Sequence, residues 1–204
     1  MALFIAFEGI DGSGKSTQFQ KFAEYLFKLN KYNNLVLTRN PYKDNNIRAV
    51  LKESNNPLET AEKLADLFIQ DRTFQSKELI IPSLEKGLFV ITDRFKLSTI
   101  TYQSAQGIDM NKLIEKSAHL PSPNITFIVD IPAKDAAERM KQDPIERNKF
   151  ETNIDFLENV RQNFLKAAQI LKNEKIIIIN GNQTAEKVFE EIILNFNLIT
   201  TQSK

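Results

Sequence analysis

The sequence contains no cysteine, which excludes disulfides, thiolate catalysis and cysteine-based zinc sites together. It has a single histidine, His119, placed just before Pro121 and Pro123, a setting for a loop residue and not for a catalytic base. Net charge is nearly absent. The 27 basic and 26 acidic residues leave +1, so no global field draws the chain to nucleic acid or to an anionic membrane surface, and any anion must be held locally. Long hydrophobic runs are missing too: stretches such as Ile176 to Ile179 fall far short of the ~18 residues that span a bilayer. Leu3 to Phe7 follows neither a basic leader nor a small-residue cleavage site, so a soluble, cytoplasmic protein is expected. No internal repeat, low-complexity tract or linker interrupts the chain. Apolar and charged fractions of 42% and 26% are those of a folded globule, and 204 residues suit one domain, 1–204.

What is present is an alternation of short apolar runs with longer amphipathic segments. Leu3–Phe7, Leu35–Thr38, Leu88–Thr92, Ile125–Asp130 and Ile176–Ile179 are rich in Ile, Val and Phe and lack polar alternation. Such runs fit five strands of a parallel sheet buried on both faces, with helices covering each face: a doubly wound α/β fold. Phe19, Phe22, Ala23 and Leu26 recur at helical spacing, as do Leu64, Leu67 and Phe68 on a segment running from Thr60 toward Ile80, ended by Pro82 and Gly87. Leu113–Leu120, Phe156–Leu171 and Ala185–Phe196 read as further helices. Asn40–Asn46 and Gln142–Asn153 read as loops, and the tail from about 199 to 204 as frayed.

Gly9-Ile10-Asp11-Gly12-Ser13-Gly14-Lys15-Ser16 matches G-x-x-x-x-G-K-[ST], with a buried strand before it and an amphipathic helix after it. Glycines let successive N–H groups turn inward around a phosphate, and the helix beginning near Ser16 aims its positive end at the same anion. Lys15 adds a mobile charge suited to β- and γ-phosphates, and the Ser16 hydroxyl can ligate Mg2+. Leu88 to Asp93 is a strand ending in a carboxylate, a second acid on the metal side. Arg94 follows at once, on the sheet edge where ligands of open α/β folds collect, and its planar fork suits a second phosphate. None of the Asn-Lys pairs at 30–31, 111–112 and 148–149 has Asp two places on, which argues against a GTPase.

The ordered set Phe7-Glu8-Gly9 to Thr17, Thr38-Arg39-Asn40-Pro41, Asp93-Arg94-Phe95, Leu97-Ser98-Thr99 and Tyr102-Gln103 resembles thymidylate kinase, from residue 3 to about 195. The resemblance implies a P-loop kinase that passes the ATP γ-phosphate to dTMP with Mg2+, usually as a homodimer. It gives the ATP site Gly9, Gly12, Ser13, Gly14, Lys15, Ser16 and Thr17, with Arg139 flanking the adenine. Ser16 and Asp93 are implied as metal-side residues. On the acceptor side it implies Arg39 and Arg94 for the monophosphate, with Pro41 beside them. Phe68 and Arg72, four apart on one helix face, would stack the base and bind its edge, although Phe68 also continues the Leu64–Leu67 core stripe. Tyr102 would pack against the sugar, Gln103 would help position the nucleotide with Ser98 on the same wall, and Asp11 would orient the acceptor phosphate or its metal waters. Arg139 to Glu151 resembles the family's lid, with the lid proper at about 141–152. Some thymidylate kinases carry a catalytic arginine in the phosphate loop where this chain has Gly12, so Arg147 of the lid is the expected transfer-stabilising cation. Asn40 stands where the family usually has Glu, and Tyr42-Lys43 where it has two glycines. A kinase of another nucleotide or nucleoside, and a P-loop module without catalysis, are the competing readings.

Overall fold

A strand without polar alternation needs cover on both faces, and β1 (Phe4–Glu8) is buried at all five positions. In the computed structural model, which describes residues 2–43, 46, 47, 49, 50, 57–141 and 153–202, β1 is the middle strand of five. The others are β2 (Leu35–Arg39), β3 (Phe89–Asp93), β4 (Ile125–Asp130) and β5 (Ile176–Asn180). Their order is β2-β3-β1-β4-β5, and every pairing is parallel. This is the expected α/β architecture. All five carboxyl ends therefore share one edge, where Asp93 pairs in register with Phe7 on one side and Arg39 on the other. Burial on both faces holds for the three inner strands but not at the sheet's edges, where Leu37 and Ile178 are exposed.

Odd positions of β1 enter one hydrophobic cluster and even positions another, as the two-residue period of a strand dictates. On the odd side lie α1 (Lys15–Leu29) and a C-terminal helix, α8 (Ala185–Gln202). The Phe22 ring centroid sits 5.5 Å from Phe7, 6.1 Å from Phe127 and 5.1 Å from Phe196, stapling α1 and α8 to the sheet. The opposite side carries α2 (Pro57–Gln75), α4 (Lys96–Ala105), α5 (Met110–Lys116), α6 (Ala133–Lys141) and α7 (Ile154–Ile170). Ile10, Leu97, Ile100, Leu113, Ala136, Leu157 and Phe164 share a cluster there.

Three expectations are corrected. Pro82 does not end the helix begun near Thr60. After α2 the chain passes through a π turn, Ser76–Ile80, into α3 (Ile81–Glu85), where Pro82 occupies the first turn and its missing N–H is tolerated. The helix expected over Leu113–Leu120 is instead Met110–Lys116, because Asp109 accepts from the Lys112 N–H at 3.0 Å and caps it three residues earlier. The tail is helical through Gln202: Ile199 packs on the core, and Thr200 and Thr201 hydroxyls donate to the Phe196 and Asn197 carbonyls. Arg139 to Lys141, where the proposed lid begins, form the last turn of α6, and the remainder of the lid, including Arg147, lies outside the described residues.

Candidate active site

β1 delivers the chain into the Gly9–Gly14 loop, and α1 starts directly from Gly14 with no side chain capping it, so its first N–H groups face the loop's concavity. Gly9 and Gly12 have φ of 141° and 78°, and a Cβ on either would come within 2.6 Å and 2.5 Å of the Val129 and Ala136 carbonyl oxygens. Only glycine fits this pass between β4 and α6.

The buried Lys15 reaches back over the loop, its Nζ 3.3 Å from the Ile10 carbonyl oxygen and 3.5 Å from Asp11 Oδ1. The same Asp11 oxygen accepts from Arg94 Nη2, and Asp11 Oδ2 accepts from the Tyr102 hydroxyl at 2.8 Å. One carboxylate thus bridges the cation of the phosphate loop and the cation that follows β3. Burial alone would raise the Asp11 carboxyl, but Arg94 and then Lys15 hold it well below its usual value. Burial and the nearby Arg94 charge lower the Lys15 amine, offset in part by Asp11. For Arg94 burial opposes the charge, yet Asp11 keeps the guanidinium firmly protonated.

Arg94 has φ of 69°, a left-handed conformation rare for a side chain of its size. Its carbonyl is gripped by the Thr92 hydroxyl at 2.8 Å and the Asn40 amide at 3.0 Å, and its N–H donates to Phe7 O at 2.8 Å. Those bonds hold a strained turn that aims the guanidinium into the cleft. Asn40 Nδ2 also donates to Gln75 Oε1 at 3.0 Å, so in this chain the place usually held by Glu joins β2, β3 and α2 through an amide.

The Ser16 hydroxyl donates to Asp93 Oδ2 at 2.7 Å, while Asp93 Oδ1 is buried without a hydrogen-bond partner. A hydroxyl, a carboxylate and an unused oxygen beside a phosphate loop form a hard-donor set that fits Mg2+, an ion that keeps waters and substrate oxygens in its remaining positions. No group of three or more acidic, histidine or cysteine residues suited to a metal occurs among the described residues.

A cavity of about 530 Å3 opens beyond the loop, lined by Gly14, Thr17, Arg139, Gln183, Ala185 and Val188 among others. Arg139 donates to the Gly181 carbonyl at 3.0 Å and the Gln18 amide to the Ala185 carbonyl at 2.9 Å, so the turn between β5 and α8 is tied at both ends. The sequence offered no signal for Gln18 or for this turn, whose two ties span 167 and 42 positions of the chain.

Residues 7–192 match the family model for thymidylate kinase. The chain is 38% identical over 201 residues to the thymidylate kinase of Wolbachia pipientis subsp. Culex pipiens (strain wPip), covering 94% of each chain. It is 37% identical over 195 residues to that of Thermosipho africanus, covering 93% of this chain and 95% of the relative. A probable thymidylate kinase of Thermococcus kodakarensis is 34% identical over 200 residues, covering 94% and 95%. The chain belongs to the thymidylate kinase family. It is therefore a kinase, a nucleotide-binding transferase.

Of the residues that the thymidylate kinase resemblance singled out, Asp11, Lys15, Arg94, Ser98 and Tyr102 form one bonded network, and Ser16 pairs with Asp93, the residue before Arg94. Arg39 is exposed at the end of β2, beside Asp93 in register, and Pro41 is half-buried two residues on. Phe68 is half-buried, as is Leu67, whereas Leu64 of the same stripe is fully buried. Arg72 is 2% exposed, its guanidinium carbon 5.1 Å from the Phe68 ring centroid and its Nη1 donating to the Phe68 carbonyl at 3.1 Å. Its Nε is buried without a partner, and burial lowers it to about 10 against the opposing pull of Glu8. Gln103 is buried, and its amide donates to Gln106 Oε1 at 3.2 Å. Glu8 was quoted in the motif without a role. It is fully buried and accepts three hydrogen bonds, from the Phe95 and Ser98 N–H groups and the Ser98 hydroxyl.

Proposed function

We propose that this chain transfers the γ-phosphate of ATP to dTMP, giving dTDP and ADP, and that it does so with Mg2+. The reading rests on the Asp11 carboxylate, which is held at once by Lys15 and Arg94. Two cations that share one carboxylate can also hold two phosphates in contact. In-line transfer between nucleotides needs that contact and is opposed by their mutual repulsion. In this mechanism the loop N–H groups and Lys15 bind the donor phosphates, and Arg94 with Arg39 neutralises the acceptor phosphate. Mg2+ held by Ser16 and Asp93 would supply charge neutralisation on the donor phosphates. Asp11 yields its place beside Arg94 to the acceptor and keeps the guanidinium oriented through Tyr102. Phe68 and Arg72 take the base, Tyr102 packs against the sugar, and Arg139 flanks the adenine. Arg147, on the lid at about 141–152, supplies the cation that the loop lacks. A homodimer in the cytoplasm completes the reading.

A coupled ADP-release assay over dTMP, dUMP, dCMP, dGMP and thymidine tests it. dTMP should turn over fastest, and thymidine, with no phosphate for Arg39 and Arg94, should not turn over. Turnover of thymidine at the dTMP rate would remove the acceptor assignment.

A further inference from the structure

Glu8 has no place in the mechanism so far, although it is wholly buried between the phosphate loop and the Asp93-Arg94-Phe95 turn. Its Oε1 accepts from Phe95 N–H at 2.8 Å and Ser98 N–H at 3.2 Å. Helix α4 has no side-chain cap from its own N-terminal residue, so Glu8 supplies one from 87 residues away. Its Oε2 accepts the only proton of the Ser98 hydroxyl. That bond fixes the hydroxyl's direction and leaves Ser98 Oγ as an acceptor, which Arg94 Nη1 uses at 3.0 Å. The second acceptor of Nη1 is the carbonyl of Gly9 at 3.0 Å, the residue next to Glu8.

The Arg94 fork is therefore pinned unequally. Nη1 sits on two neutral acceptors, both positioned by Glu8 or its neighbour, and neither can leave. Nη2 sits on Asp11 and on Tyr102 at 3.3 Å, the ion pair with Asp11 being one that an incoming phosphate can replace. Three donors face Glu8, so both its oxygens serve as acceptors, even though burial raises its carboxyl against the pull of the Ser98 hydrogen bond and the Arg94 charge. An amide there offers N–H to Ser98 Oγ and turns the hydroxyl proton toward Nη1, a donor facing a donor.

We infer that Glu8 is a positioning residue for the acceptor phosphate, acting through the Ser98 hydroxyl to fix the Nη1 side of Arg94 while Nη2 is left to exchange Asp11 for the ligand. This rests on the reading of Arg94 as the acceptor-phosphate cation. A residue that only capped α4 would affect folding, and with it both nucleotides alike.

The test compares dTMP and ATP affinities by titration calorimetry, together with the two KM values, for the full chain and for Glu8→Gln, Ser98→Ala, Arg94→Lys and Glu8→Gln/Arg94→Lys. Glu8→Gln is expected to raise Kd and KM for dTMP roughly 10-fold, the usual effect of losing a hydrogen bond to a charged group, with ATP values within about twofold. Ser98→Ala breaks the relay but leaves the two N–H caps on Glu8, and should reproduce the dTMP defect with a smaller loss of thermal stability. In the Arg94→Lys background the Glu8→Gln factor should fall below about twofold, because the two residues act in series. Equal weakening of both nucleotides, or an undiminished factor in the Arg94→Lys background, would overturn the inference. If Glu8→Gln does not fold, unchanged dTMP affinity in Ser98→Ala overturns it alone. Unchanged dTMP affinity in Arg94→Lys would overturn the acceptor reading, and this inference with it.

Discussion

Replacing Gly12 by alanine should destabilise the chain by much more than the loss of a glycine usually does. Gly12 has φ of 78°, and a Cβ there would lie 2.5 Å from the Ala136 carbonyl oxygen and 2.8 Å from Met140 Cγ, in the body of α6. The left-handed backbone costs about 1–2 kcal/mol for a residue with a Cβ. Forcing atoms into a packed interface costs a further ~1–3 kcal/mol when the obstacle is main chain that cannot rotate away. Together these reach about 2–5 kcal/mol, which for a chain of this length lowers Tm by roughly 5–20 °C. Gly87 is the control. Its φ is 79°, nearly the same, but a Cβ there meets nothing within 4 Å, so Gly87→Ala carries the backbone strain alone. Thermal unfolding by circular dichroism on both variants separates the collision from the strain. A Gly12→Ala protein that melts no lower than Gly87→Ala would refute the argument. The same geometry bears on catalysis, since it leaves no room at position 12 for the loop arginine that some thymidylate kinases use.

Ser16→Ala should raise the Mg2+ concentration for half-maximal activity about 10-fold or more, read from a Mg2+ titration at saturating nucleotides. An unshifted titration would free Ser16 of the metal-side role. The Lys15 amine is lowered from 10.5 by burial and the Arg94 charge, and only its protonated form binds phosphate. The alkaline limb of kcat/KM for ATP, which reports the free enzyme, should therefore lie below pH 10.5, and a limb at the usual lysine value would contradict this. Arg147→Ala should lower kcat by ~100-fold or more with little change in KM, the pattern of a donor that acts at the transition state. Normal turnover would move that role to another cation.

The sheet could be read from sequence because its inner strands are buried on both faces and so are dominated by apolar residues without polar alternation. The phosphate loop could be read because its glycines, Lys15 and Ser16 are contiguous. Arg94 was legible for a similar reason: it adjoins Asp93 at a strand end. α4 was not seen as a helix, since Lys96–Ala105 is rich in Ser and Thr and buried on nearly every side, leaving no amphipathic stripe. The last turn of α6, Arg139 to Lys141, reads in sequence as the start of the lid because its charges resemble a solvated run, whereas Ala133, Ala136 and Met140 bury one face of the helix it ends. Glu8, Gln18 and Asn40 do their work through partners 35 to 167 residues away, and local pattern carries no trace of such pairings.

The π turn at Ser76–Ile80 has one more consequence. At 3.6 residues per turn, positions four apart creep round a helix by about 40° per step, so a uniform helix would carry Arg72, Ser76 and Ile80 progressively off a common line. Winding one turn wider reverses that creep, and all three are buried. A single inward seam thus begins with the Arg72 cation against the Phe68 ring and finishes with a hydrocarbon wedge against Phe4, Val90 and Phe95, so a buried charge and the covering of one sheet face are cut from one piece.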